Sequence, residues 1–526
     1  MKKKILSLLL AGAMVFSTSA VTALAEEASS DSDFVIAIEG TVQSMDPQNI
    51  SDTNSISATR GVYETLVTLD ENQEIVGQLA DSWEVSEDGL TYTFHLKEGV
   101  KFHDGTDFNS EAVLANFERV LDVENPIRST STYYTTDEDG NQVPRIESID
   151  NPDDYTVVMT LVQPWGILLN RLTQMCFISP AAIEEYGNDV MYHPCGTGPF
   201  ICEEGGWVEG DHVTMVRNED YWGEKPGITS VTITEVPEAG TRTAMLQTGE
   251  ADMVYPVTSD QIPAVEGIEG VTLTSGESNI MRYVTLNTNI AGLDDVNVRQ
   301  ALNYAIDKDA YVEVMYGGYG EAATSVVPKV IQYYESQKAY DYDQDRARTM
   351  LEEAGYGEDN PLSLTLWGDN TSQEIKAMTF IEQQLEAVGV QVEVVPMEPA
   401  TVSENIYVDF EDAQVNMWYV NWSASDFSTD SSMRNLLHSS MIPPTSANAA
   451  YYDNLNFDEA LDSGLAATDE EEQKEFYQTA QEIAWSDAPW LFLGTDQIVY
   501  AVTDSASGAY VTPDGTIRYQ NVTVTE

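Results

Sequence analysis

Residues able to do chemistry are plentiful in this chain, but few stand at the spacing that chemistry requires. Asp341, Asp343, Asp345 and Glu352 fall at positions 1, 3, 5 and 12 of a calcium-binding loop, yet Arg346 takes the sixth position, where such a loop needs glycine for its sharp turn. These acids read better as the start of a helix. The run from Gly318 through Gly320 to Ala323 has the letters of a dinucleotide fingerprint but follows a helix rather than a strand, so it reads as a helix end and a loop. The chain has no Gly-x-Ser-x-Gly elbow, no His-Glu-x-x-His helix and no Walker phosphate loop. Its five histidines, His95, His103, His193, His212 and His438, are scattered, with no two on one helix face. Cys176, Cys195 and Cys202 match no zinc spacing; an oxidising compartment would allow one disulfide and one free thiol among them. With 88 aspartates and glutamates, carboxylate pairs arise by chance, which leaves an exported hydrolase as the alternative of a different class. The residues themselves predict no catalytic group, no metal and no cofactor.

Charge narrows the partners. Over 526 residues the formal net charge is −64, a surface that repels phosphate backbones and anionic lipid, so nucleic acid is excluded as a partner. Lys2, Lys3 and Lys4 precede an apolar run from Ile5 to Phe16, and Ala23-Leu24-Ala25 forms a small-residue cleavage motif. Residues 1–25 are therefore predicted to be a signal peptide and the chain to be exported. No cysteine precedes Cys176, so no lipobox cysteine is expected, and no later segment offers the roughly 18 to 20 apolar residues of a membrane span. A mature chain of about 500 residues exceeds what one hydrophobic core usually serves, which predicts at least two lobes.

The elements that would position a site follow from periodicity. Leu90 to Leu96 alternates with period two, as do Phe34 to Ile38, Thr156 to Leu161, Val231 to Val236 and Leu362 to Leu366, each reading as a half-buried strand. Asn297 to Tyr316 places Val298, Ala301, Leu302, Ala305 and Ile306 at helical spacing and stops at Gly317-Gly318. Asp343 caps a further predicted helix, and Glu374 to Val388, Asn456 to Ala466 and Glu470 to Trp485 complete a helix-rich second half after a strand-rich first half. The texture is α/β, with the change near residues 284–295.

Several blocks, read in order, resemble a known family. They are Leu79 to Gly105 with the helix from Asn109 to Val113; Gly196-Thr197-Gly198-Pro199-Phe200; Arg217 to Pro226 with its Tyr221-Trp222 pair; Ala244 to Asp252; Val298 to Ile306; and Glu482 to Trp490. Together they look like the extracytoplasmic dipeptide, oligopeptide, glutathione and nickel-binding proteins of ABC importers, solute-binding family 5, and are nearest the glutathione-binder-like branch. The resemblance covers essentially the whole mature chain. It implies a two-lobed, periplasmic-binding-protein-like (Venus flytrap) α/β fold with an extra subdomain. Lobe I would comprise residues 26–283 plus 488–526, with 61–179 as the subdomain, and lobe II residues 284–487. It also implies a short peptide or other small ligand and ABC permease subunits as partners and a monomeric state, with binding and closure in place of catalysis.

The same resemblance points to Met417 to Phe427 as the pocket segment. Tyr419 and Trp422 would supply aromatic faces, Ser423 and Ser425 polar contacts, and Asp426 a carboxylate for a ligand α-amine. Family members usually carry that aspartate three residues after the tryptophan, where this chain has Ser425. A glutathione-like ligand brings two carboxylates, for which Arg434, Arg282 and Arg60 are expected partners, with Thr197 lending a turn of backbone donors. Under the alternative of a nickel-chelate carrier, His438 would be the metal-side residue.

Overall fold

Alternating burial along short segments is what builds this molecule. The computed structural model describes residues 32–70, 73–136 and 141–525, so the expected signal peptide lies outside the described residues. Thr91–Leu96 alternates half-buried and buried side chains, pairs with Ala80–Val85 on one side and Thr156–Leu161 on the other, and Ile146–Asp153 completes a four-stranded sheet. The helix Ser110–Val120 follows, its first turn capped by the Asn109 side chain, which accepts from the Ala112 amide.

A larger, twelve-stranded sheet runs through most of the remaining chain. In spatial order its spine is Phe200–Ile201, His212–Arg217, Ser230–Glu235, Asp33–Ile38, Met253–Tyr255, Trp490–Thr503, Val271–Leu286, Met417–Trp422, Ser363–Asp369 and Gln391–Met397. The two long central strands, Val271–Leu286 and Trp490–Thr503, pair antiparallel along nearly their whole length. Their ladder is irregular at two places: Glu277 pairs with Gln497 and Met281 with Thr495, so Ser278, Asn279 and Ile280 stand opposite Asp496 alone, and Arg282 pairs with Gly494 but Tyr283 with Phe492, so Leu493 is left over.

Buried apolar side chains form separate cores around these sheets. A first core joins Phe34, Ile36 and Tyr63 to Phe200, Val231 and Tyr519. A second is confined to residues 66–177 and centres on Phe94, Phe108, Phe117 and Phe177. A third takes Tyr283, Leu302, Leu366, Phe457, Trp485 and Trp490, all from residues 281–493. Each fully buried Leu, Ile or Phe contributes about 1.5–3 kcal/mol, so these clusters, rather than surface ion pairs, hold each unit together.

The segment from Asn297 to Tyr316 departs from the single helix its periodicity predicts. It forms two, Val296–Ala305 and Lys308–Tyr316, because Ile306 turns extended and the Asp307 side chain caps the second by accepting from the Ala310 amide. Gly317, at φ 62°, ends it in the left-handed conformation glycine tolerates. Asp343 caps the helix Gln344–Glu353 as expected, whereas Gly320–Ala322, expected as loop, adds a short strand to Trp490–Thr503. Among the described residues no helix is long and apolar enough to cross a membrane.

Candidate functional site

Where the second and third cores face each other, a cleft of about 600 Å³ opens. One wall comes from the end of Met417–Trp422 and the loop after it: Asn421, Trp422, Ser423, Ser425 and Asp426. The other comes from Arg60, the segment Arg128–Tyr133, and Arg171 with Gln174. Strand geometry explains the first wall: Tyr419 points into the third core at 3% exposure, where its hydroxyl meets that of Tyr311 at 2.8 Å, and the chain turns outward only from Asn421 onward. Trp422 is half-buried, its indole N–H donating to the Ser431 carbonyl at 3.3 Å while its ring lines the cleft.

Charge is the cleft's distinguishing property. Three guanidinium groups line it, from Arg60, Arg128 and Arg171, in a chain with 24 lysines and arginines against 88 acids. Asp426 is the one carboxylate among the described lining residues, and it lies against Arg171. Arg60 is 8% exposed; it donates to the Thr173 carbonyl at 3.1 Å and the Gln174 side chain at 2.9 Å, and its Nε is buried without a partner. No described carboxylate oxygen lies within 4.0 Å of Arg60 or Arg128.

Of the expected site residues, Arg60, Trp422, Ser423, Ser425 and Asp426 meet at this cleft. Four others do not line it. Tyr419 is in the core, as described. Arg434 is taken by acids of its own unit: Asp430 at 2.9 Å and Asp462 at 2.7 Å hold it, and although burial works against its charge, those acids keep its pKa above the ordinary value. Arg282 sits between the two irregularities of the long ladder, 3.7 Å from Asp496, among the rings of Tyr316 and Tyr419. Thr197 is fully buried and donates to Glu64 at 2.7 Å.

Asp426 also differs from its expected state. It is buried, with its side chain 1% exposed, and is already fully served: Ser428 donates through its amide and hydroxyl, each at 3.1 Å, Ser431 through its hydroxyl at 2.8 Å, and Arg171 Nε stands 3.1 Å away. It is not presented to the cleft as an open carboxylate. His438 packs at 8% exposure beside Asp458 and Asp462 rather than on the cleft, and no described cluster of three His, Cys, Asp or Glu side chains could hold a metal. Cys176, Cys195 and Cys202 are free thiols; burial pushes Cys195 up to about 12 and Cys202 up to about 11.

Sequence reasoning missed Arg171, Arg128 and Gln174, while Asn421 fell within the expected pocket segment without being singled out. None belongs to a motif, and the only signal available was scarcity: in so acidic a chain, any arginine in the strand-rich half was worth weighing. The motifs themselves explain a different place. Thr197 from Gly-Thr-Gly and the Tyr221-Trp222 pair converge on Glu64, Tyr221 donating at 2.7 Å and Trp222 at 2.8 Å. The flanking glycines are required there, because a Cβ on Gly196 would stand 2.1 Å from the Val62 carbonyl oxygen and one on Gly198 2.5 Å from that of Gly61.

Comparison with known proteins places this architecture. The glutathione-binding protein GsiB of Pectobacterium atrosepticum is 35% identical over 499 residues, covering 94% of this chain and 94% of that protein. Among solved structures, the ABC transporter-associated periplasmic binding protein DppA from Helicobacter pylori, in complex with peptide STSA, superposes with a TM-score of 0.74 at 27% identity, covering 94% of this chain and 98% of that one. HbpA2 from Haemophilus parasuis gives 0.81 at 25% identity, over 94% and 100%. The fold is thus the two-lobed periplasmic-binding-protein fold. The model of the bacterial extracellular solute-binding proteins, family 5 Middle, matches residues 74–443, and the chain belongs to that family.

Proposed function

We propose that this protein is the substrate-binding component of an ABC importer, capturing a short peptide or glutathione-like peptide in the cleft and delivering it to membrane permease subunits. The observation that carries this reading is the set of three arginines lining a cleft whose only described carboxylate is already paired. Such a lining suits a ligand that brings its own carboxylates, since arginine grips them through charge-assisted hydrogen bonds. Its volume of about 600 Å³ falls within the range of small-molecule sites, about 300–1,000 Å³. The 35% identity to a glutathione-binding protein and the likeness to a peptide complex support the same ligand class. The nickel-chelate reading has no comparable support, because its one candidate histidine is off the cleft.

In this reading the protein binds without catalysis, works as a monomer, and is exported to the periplasm or the outer face of the cell membrane. Lobe I takes residues 26–283 and 488–526, including the subdomain 61–179, and lobe II residues 284–487; the first two cores support lobe I and most of the third supports lobe II, although that core also draws in Met281, Tyr283, Trp490, Leu491, Phe492 and Leu493 from the lobe I strands. Arg60 and Arg128 hold ligand carboxylates, Trp422 offers an aromatic face, and Ser423, Ser425 and Asn421 give polar contacts.

Titration calorimetry with glutathione and unmodified di- and tripeptides tests this. Arg60→Gln is expected to weaken a carboxylate-bearing ligand by about 1.5–3 kcal/mol, the range of hydrogen bonds to charged groups. Absence of binding to every such ligand, or cleavage of a peptide by the protein alone, overturns the proposal.

A further inference from the structure

The helix Leu168–Leu172 and the turn after it carry three polar side chains across the cleft to one loop of the opposite unit. Asn170 donates to the Asp426 carbonyl at 3.1 Å, Gln174 to the Ser425 carbonyl at 3.0 Å, and Arg171 to the Ser431 hydroxyl at 2.8 Å while its Nε lies 3.1 Å from the Asp426 carboxylate. A carboxylate has about four lone-pair sites. At Asp426 the Ser428 amide, Ser428 hydroxyl and Ser431 hydroxyl take three, and Arg171 faces the carboxylate as an ion pair. Arg171 is 27% exposed against 1% for Asp426, so the acid is internal to its loop and the cation reaches it from the other side of the cleft.

We propose that Arg171 supplies the positive charge that a ligand α-amine would otherwise bring to Asp426, so that this pair latches the two lobes together and recognition does not depend on a free ligand amine. A ligand ammonium entering here would have to displace Arg171 and strand a guanidinium inside the cleft, whose other lining cations, Arg60 and Arg128, have no described acid within 4.0 Å to share. The protein thus reads the acidic end of its ligand and tolerates a blocked amine. This deepens the proposed function and rests on the cleft being the ligand site.

The experiment has two arms. In the first, calorimetry compares glutathione with its N-acetylated form on the wild type and on Asp426→Asn. The expected result is that the wild type binds both within about threefold, and that Asp426→Asn weakens both by the same factor, roughly tenfold as for a lost coupling between two states. If acetylation alone abolishes most of the affinity, or if Asp426→Asn weakens only the free-amine form, Asp426 is an amine receptor and the latch is wrong. In the second arm, small-angle scattering of the ligand-free protein compares the wild type with Arg171→Met, Arg171→Lys and Asp426→Asn. The Met and Asn variants should show a larger radius of gyration and the Lys variant an intermediate one. Unchanged scattering in all three overturns the latch. Should neither form of glutathione nor any peptide bind, the proposed ligand class fails, and the scattering arm still decides the latch.

Discussion

Two buried carboxylates in this molecule are held in opposite ways. Glu64 is 3% exposed and is served by neutral donors: Thr197, Tyr221, Trp222 and, at 3.4 Å, Gln78. Burial nevertheless pushes its pKa above the ordinary carboxylate range, ahead of the lowering by those hydrogen bonds. Asp426 is equally hidden but is served partly from the other side of the cleft, by a cation. The first arrangement can be lost only by unfolding. In the second only the Arg171 contact crosses the cleft, so under the proposed latch it is the part released by opening, while the Ser428 and Ser431 bonds stay.

That difference predicts where each mutation will be felt. The largest effect on stability is expected from Glu64→Leu, which leaves the buried Thr197 and the half-buried Tyr221 and Trp222 without their acceptor; at about 1–3 kcal/mol per orphaned group, a loss of about 3 kcal/mol should appear in urea unfolding. Ligand affinity of the folded variant should stay within threefold, and a selective loss of affinity would erase the distinction between the two sites. Arg171→Met should do the reverse. Breaking a fully buried ion pair costs about 3–5 kcal/mol, but here opening relieves it, so the loss in urea unfolding should be less than about 1 kcal/mol. A full-sized shift would mean that the lobes cannot part at this point.

The smallest effect concerns pH. Hydrogen bonding to His438, then the hydrogen bond and charge of Arg434, pull the Asp462 carboxyl down to about 2, against its burial. A depressed folded-state value stabilises above the unfolded pKa of about 3.9 and loses that contribution as pH falls toward the folded one. Acid titration of stability from pH 5 to 2 should therefore be shallower in Asp462→Asn than in the wild type. Glu64 has the opposite sign, its contribution complete at low pH and declining as pH rises through its raised value.

The same contrast explains what could be read from the residues alone. The strands Thr91–Leu96 and Thr156–Leu161, the Asp343 cap and the Gly317 stop were legible because period and capping are local. The Glu64 cluster left its trace as motifs, Gly-Thr-Gly and Tyr-Trp, although nothing in the sequence showed that they meet one glutamate. At the cleft, the loop from Trp422 to Asp426 could be found through its family resemblance, but its partners could not. Arg171, in a five-residue helix, lies 255 positions earlier in the chain and has no local pattern to mark it. Arg282 and Arg434 lie off the cleft, each beside an acid of its own, Asp496 or Asp430.

An interruption in the long ladder has a mechanical consequence. Val271–Leu286 and Trp490–Thr503 pair at the centre of the big sheet, and Ser278, Asn279 and Ile280 face Asp496 alone at one of the two interruptions of that ladder. These few peptide units lack the regular ladder bonds that stiffen the rest of the pair, so a bend of the sheet meets less resistance there than along the unbroken stretches.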